Sequence, residues 1–163
     1  ADFFPTPLFS TTEEEWDHLL ALNLKTPFFL AQTVAEGMKS RGEGKIINMV
    51  DSSTERPWVS FLPYCISKAG LVSLTKGLAR ALSPEVQVNG IAPGPFPTSM
   101  LSAGVGGGGD AENTDWTAIS DSNPRGRVGT AEDIAGLAIF LSSRACGFTV
   151  GDVITCDGGS VVS

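Results

Sequence analysis

The sequence predicts an α/β fold built on a parallel sheet, and three observations carry that prediction. Apolar residues recur at helical spacing in three separate stretches. Short apolar runs, KIINMV (45–50), VQVNGIA (86–92) and DVITC (152–156), follow them and are bounded by Gly, Asp or Pro. The order is helix, strand, helix, strand, helix, strand, the alternation of parallel strands joined by right-handed crossovers.

Each element has its own signal. Ser10, Thr11 and Thr12 precede Glu13, Glu14 and Glu15, so a capping box opens the first helix and its acidic turn suits the helix dipole. Trp16, Leu19, Leu24, Phe28, Ala31, Val34 and Met38 extend it to about residues 40–44, with a kink expected at Pro27. KIINMV reads as a strand buried on both faces. The second helix spans 64–82 and stops before Pro84. VQVNGIA is the second strand, closed by PGPFP; a third helix starts at Thr130 and DVITC is the last strand. The whole, 1–163, reads as one domain, with 93–129 irregular and a flexible substrate loop at about 98–125.

Composition narrows the function classes. The net charge is −7 and Lys and Arg form no cluster, which argues against a nucleic-acid partner. No apolar run approaches the roughly 18 residues that span a bilayer, and ADFFPTPLF lacks the features of a signal peptide, so a soluble cytoplasmic protein is expected. Cys65, Cys146 and Cys156 are odd in number and free of CxxC spacing, and His18 is alone; neither a disulfide framework nor a metal site is expected.

In parallel sheets, ligands bind beyond the carboxyl ends of the strands, where the loops 51–63 and 93–129 begin. Tyr64, the only tyrosine, and Lys68 stand one helical turn apart in this region. A neighbouring cation lowers a phenol pKa and makes it a usable proton donor and acceptor. By spacing alone, a half-exposed tyrosine beside a solvated lysine is the default reading. Asp51, directly after the first strand, reads either as a site carboxylate or as a cap on residues 53 and 54. Asn23 alone could be a helix-kink residue, and Pro93 and Gly94 a plain turn.

Taken together, YCISKAGLVSLTKGLARAL followed by VQVNGIAPGPFPT resembles the short-chain dehydrogenase/reductase family. LALNLKTPFFL around Asn23, GRVGTAEDIAGLAIFLSS (126–143) and GDVITCDGG (151–159) agree, so the resemblance covers nearly the whole chain. It implies a Rossmann-like doubly wound parallel sheet, NADP(H) or alternatively NAD(H), and a homo-oligomer. By the same resemblance, Tyr64 exchanges a proton with substrate, Lys68 lowers its pKa and holds the nicotinamide ribose, and Asn23 holds a relay water. Pro93, Gly94 and Thr98 line the cofactor, and Ile91 packs near its ring. Asp51 stands where the family usually has serine, with Ser52 next in line for that role. This aspartate, with NMVD, ERP and FFPTPL, is similar to the pteridine reductases and implies a pterin-like substrate. A 3-ketoacyl or sugar/alcohol carbonyl substrate is the alternative, and a catalytically silent oligomerisation module a second one.

The resemblance begins after the family's glycine-rich turn, so the chain is expected to carry the C-terminal half only of the fold and to bind NADPH weakly by itself. The first strand is expected to present an open apolar edge. Gly104, Gly106 and Gly109 spell a literal GxGxxG, but no strand precedes it and no apolar helix follows, so it reads as loop.

Overall fold

The computed structural model describes residues 2–162. Three parallel strands, β1 (Gly44–Met49), β2 (Val86–Pro93) and β3 (Val153–Cys156), lie in the order β1-β2-β3. β1 pairs with β2 from Gly44↔Val86 to Met49↔Ile91, and β2 with β3 from Gly90↔Val153 to Pro93↔Cys156. The helices α1 (Glu13–Leu20), α2 (Thr26–Arg41) and α3 (Leu62–Leu82) precede two short helices, α4 (Ser99–Gly104) and α5 (Thr117–Ser122), and then α6 (Ala131–Ser142).

The pleat sends alternate residues of β2 to opposite faces. Val86 and Val88 pack with Ala79 of α3, and Ala92 with Leu71 and Val50. Ile91 packs the other way, against Leu141 of α6 and Cys146. The sheet is therefore covered by α2 and α3 on one side and α6 on the other. β1 is an edge strand, and Met49 at its end is 45% exposed. Lys45 reaches across to α6: its Nζ donates to the carbonyls of Leu141 (3.3 Å), Ser143 (2.6 Å) and Cys146 (3.0 Å), satisfying orphan acceptors at the helix C-terminus.

Two details differ from the sequence reading. The long first helix is not simply kinked at Pro27. It passes through a π-helical turn, Ala21–Lys25, before α2 begins. Pro27 has no N–H to offer the carbonyl four residues back, that of Asn23, and the ladder widens across this turn. The segment expected to be irregular contains α4 and α5, and its glycine run turns through positive φ at Gly106, Gly108 and Gly109. The GxGxxG match accordingly lies at the end of α4 and in the turn after it, not between a strand and a helix.

Among the described residues, no helix is long and apolar enough to cross a membrane, and no group of His, Cys, Asp or Glu could hold a metal ion.

Candidate active site

β1 ends at Met49 and the chain turns outward at Asp51. Asp51 is the N-cap of a single 3₁₀ turn, Ser52–Thr54, and its Oδ1 accepts the Ser53 N–H at 2.8 Å. The second carboxylate oxygen, Oδ2, accepts the Tyr64 hydroxyl at 2.7 Å. Both sequence readings of Asp51 thus hold at once: one oxygen caps the turn, the other faces the tyrosine. Tyr64 lies near the start of α3, which opens after Phe61 with Pro63 in its first turn. Lys68, one turn further, donates from Nζ to the Met49 carbonyl at 2.9 Å, and its ammonium lies 5.7 Å from the Tyr64 ring centroid.

The electrostatics of the pair overturn one expectation. The Tyr64 phenol is pushed above its ordinary value, first by burial, then by the charge of Asp51 and by the hydrogen bond to it. Burial and Asp51, rather than Lys68, set the direction of this shift. Helical spacing brings Lys68 alongside the ring, while the hydroxyl at its far end meets a carboxylate. Lys68 itself is pushed below the ordinary lysine value by burial, a shift that Asp51 partly opposes.

These residues line a cavity of about 750 Å³ at the carboxyl ends of β1 and β2. Asp51, Ser52, Tyr64, Lys68, Pro93, Gly94 and Thr98 all contribute to its wall. Gly94 is required by packing: a Cβ there would stand 2.5 Å from the Asp157 Cβ. Thr98 is exposed and caps α4, accepting the Leu101 N–H at 3.2 Å. Ser52 is buried in the 3₁₀ turn.

Two of the residues singled out in the sequence stand apart from this wall. Ile91 is fully buried against α6 and does not line the cavity, because the pleat of β2 points it to the opposite face of the sheet from α3. Asn23 lies buried in the π-helical turn, and neither its Oδ1 nor its Nδ2 has a hydrogen-bond partner among the described residues. Two unsatisfied buried atoms on one amide suit a bound water.

The sequence reading missed an aromatic wall. Phe3 stacks on Phe61 with ring centroids 4.2 Å apart and meets Tyr64 edge-on at 5.0 Å. Trp58 closes edge-on against Phe3 at 5.5 Å. A bridge between Thr6 and Phe61, with the Thr6 N–H donating to Ser60 at 2.7 Å, fastens the N-terminal segment beside the site. Arg56 also lines the cavity. The run PWVSFLP (57–63), apolar yet neither helical nor alternating, was the available signal for this wall.

Residues 2–161 match the family model described as enoyl-(acyl carrier protein) reductase. The chain belongs to this family, a branch of the short-chain dehydrogenases/reductases. It is 41% identical over 160 residues to gluconate 5-dehydrogenase of Gluconobacter oxydans, covering 96% of this chain and 60% of that protein. To 5-keto-D-gluconate 5-reductase of Escherichia coli K12 it is 35% identical over 158 residues, again 96% and 60%. A crystal structure of a gluconate 5-dehydrogenase from Burkholderia cenocepacia, in complex with NADP and tartrate, superposes with a TM-score of 0.89 at 35% identity, over all of this chain and 62% of that one. The chain thus spans about 60% of the length of the curated relatives it matches.

These likenesses correct the pteridine reductase resemblance. The relatives are named for gluconate and ketogluconate chemistry. Asp51, the residue that suggested a pterin, bonds the Ser53 N–H and the Tyr64 hydroxyl, contacts that do not depend on the ring chemistry of a substrate.

Proposed function

We propose that the protein is an NADP(H)-dependent oxidoreductase, with NAD(H) as the alternative cofactor, that interconverts a secondary alcohol and a ketone on a polyhydroxylated sugar acid or sugar alcohol. The observation that carries this reading is the Tyr64 hydroxyl donating at 2.7 Å to Asp51 inside a cavity at the strand ends. The names of the relatives supply the substrate class.

The residues present suit the nicotinamide end of such a cofactor. Lys68 offers a buried ammonium at the cavity wall, and the stretch from Pro93 to Thr98 offers backbone and a hydroxyl. When bound, the nicotinamide accepts or supplies the hydride at the reacting carbon. In oxidation, the substrate hydroxyl gives its proton to the Tyr64 oxygen as the Tyr64 proton passes to Asp51 Oδ2. In reduction both protons return along the same path. Asp51 is therefore the terminal proton acceptor, and Tyr64 conducts the proton without persisting as phenolate. Lys68 places its Nζ 5.7 Å from the Tyr64 ring centroid and would hold the ribose. Ser52 lies next to Asp51 as a hydroxyl able to bond substrate oxygen, and Asn23 holds a water. Ile91 supports the strand behind the site. Association between copies belongs to the same proposal: α2 leaves Phe28, Phe29 and Leu30 42%, 51% and 61% exposed.

The test follows NADPH absorbance at cofactor concentrations high enough to offset the weak binding expected of this chain: its appearance from NADP with D-gluconate and galactitol, and its loss with 5-keto-D-gluconate and a 3-ketoacyl thioester. Turnover of the sugar substrates is expected, with a loss of roughly 10²- to 10⁴-fold in Tyr64→Phe. Turnover of the thioester alone, or full activity in Tyr64→Phe, would contradict the reading.

A further inference from the structure

The wall around Tyr64 is apolar. Phe61, Met100 and Leu101 pack against the cluster that holds Phe3 and Tyr64, and all five line the cavity. Trp58 joins them edge-on to Phe3 and to Phe61, with ring centroids 5.5 and 6.1 Å apart, and remains 39% exposed while lining the same cavity. Asp51, Ser52 and Ser53 belong instead to the 3₁₀ turn after β1 and its cap. At about 750 Å³ the cavity has the size of sites that enclose a drug-sized ligand.

A sugar acid carries a hydroxyl on nearly every carbon, and each one laid against this wall without a partner loses the hydrogen bond it made in water. Apart from the Tyr64 hydroxyl and the Trp58 indole N–H, these six side chains offer no hydrogen-bond donor. An aryl group gains by the same contact, because its surface leaves water and meets rings that pack edge-on or offset. We propose a second activity at this site: reduction of ketones that carry an aryl group a short chain away from the carbonyl. The carbonyl oxygen meets the Tyr64 hydroxyl, and the aryl ring lies against Phe3, Trp58, Phe61, Met100 and Leu101. The carbonyl carbon takes the hydride that NADPH gives up in becoming NADP. The carbonyl oxygen takes the Tyr64 proton, and the proton held on Asp51 Oδ2 replaces it on Tyr64, so that C=O becomes CH–OH. The inference rests on the proton path proposed above and adds a second substrate class to it.

The probes are 4-phenyl-2-butanone and 2-butanone, which differ by the ring. Their binding to the 163-residue chain is measured by calorimetry without cofactor, and their reduction by loss of NADPH absorbance at high NADPH concentration. The wild type is expected to bind 4-phenyl-2-butanone at least about 10-fold tighter than 2-butanone, the scale on which an apolar pocket discriminates added carbon. Trp58 is exposed enough to be replaced without opening the core. Trp58→Ala is expected to weaken that binding about 10-fold, as loss of an aromatic anchor does, and Trp58→Phe to restore most of it. Tyr64→Phe is expected to keep the binding and lose the reduction. Binding no tighter than that of 2-butanone, binding undiminished in Trp58→Ala, or binding without NADPH oxidation in the wild type overturns the inference and leaves the sugar oxidoreductase reading standing. Reduction of 4-phenyl-2-butanone by a wild type that turns over neither D-gluconate nor galactitol supports the inference and contradicts that reading.

Discussion

Tyr64 is 1% exposed and its hydroxyl is turned toward a carboxylate. Both circumstances keep the phenol protonated, and the consequence for stability has a definite sign. In the unfolded chain the phenol titrates near its ordinary value of about 10; in the folded chain it holds its proton well above that. Below pH 10 both states carry the proton and nothing changes. Above it the unfolded state loses the proton first, and folding stability falls by roughly 1.4 kcal/mol per pH unit. Lys68 acts in the opposite sense: with its folded pKa lowered, it makes stability rise with pH up to its ordinary value. Urea unfolding at several pH values checks this. The wild type is expected to lose stability steeply above pH 10, and Tyr64→Phe to lose that part of the slope; an equal slope in both would contradict it. The positions of Tyr64, Lys68 and Asp51 were legible from spacing and resemblance. The direction of the pKa shift was not, because the i,i+4 rule places Lys68 beside the ring and says nothing of what meets the hydroxyl.

At the level of elements, the helices and strands announced themselves through caps, periodicity and stops. Thr12 forms the expected capping box with Glu15, and at the start of α6 the Asp133 carboxylate accepts the Thr130 N–H and hydroxyl. The π-helical turn did not announce itself. Pro27 signals a disturbance, but whether the chain kinks or widens depends on packing against α3, which a single sequence does not display. The aromatic wall was hidden for the same reason. Phe3 and Phe61 are far apart in sequence and stack only because the Thr6–Phe61 bridge brings their segments together. Phe3 also lies against Gly104, where any side chain would collide with its ring, so it ties the N-terminal segment to α4 as well as to the tyrosine. Phe3→Ala is expected to cost about 3 kcal/mol and to loosen α4, seen as a lower urea midpoint and faster amide exchange across 99–104. A midpoint unchanged within error would show that this packing contributes nothing.

For the molecule as a whole, the parallel sheet and its helical layers follow the alternation read from the sequence, and β1 lies at an edge as expected. What the alternation could not supply were contacts between distant segments: Lys45 on three carbonyls of the α6 end, Arg56 at the cavity rim, and Asp51 on Tyr64. The last of these is the centre of the account, since it makes a buried carboxylate–phenol pair the proton path. Tyr64 is the sole tyrosine, so phenolate absorbance reports on it without interference from another. The most direct measurement is an alkaline absorbance titration of the folded protein beside Asp51→Asn. The account expects no phenolate in the wild type up to about pH 11, well past the ordinary tyrosine value, and a clear downward shift in Asp51→Asn. A wild-type phenol ionising below about pH 9, or one indifferent to Asp51→Asn, would contradict it.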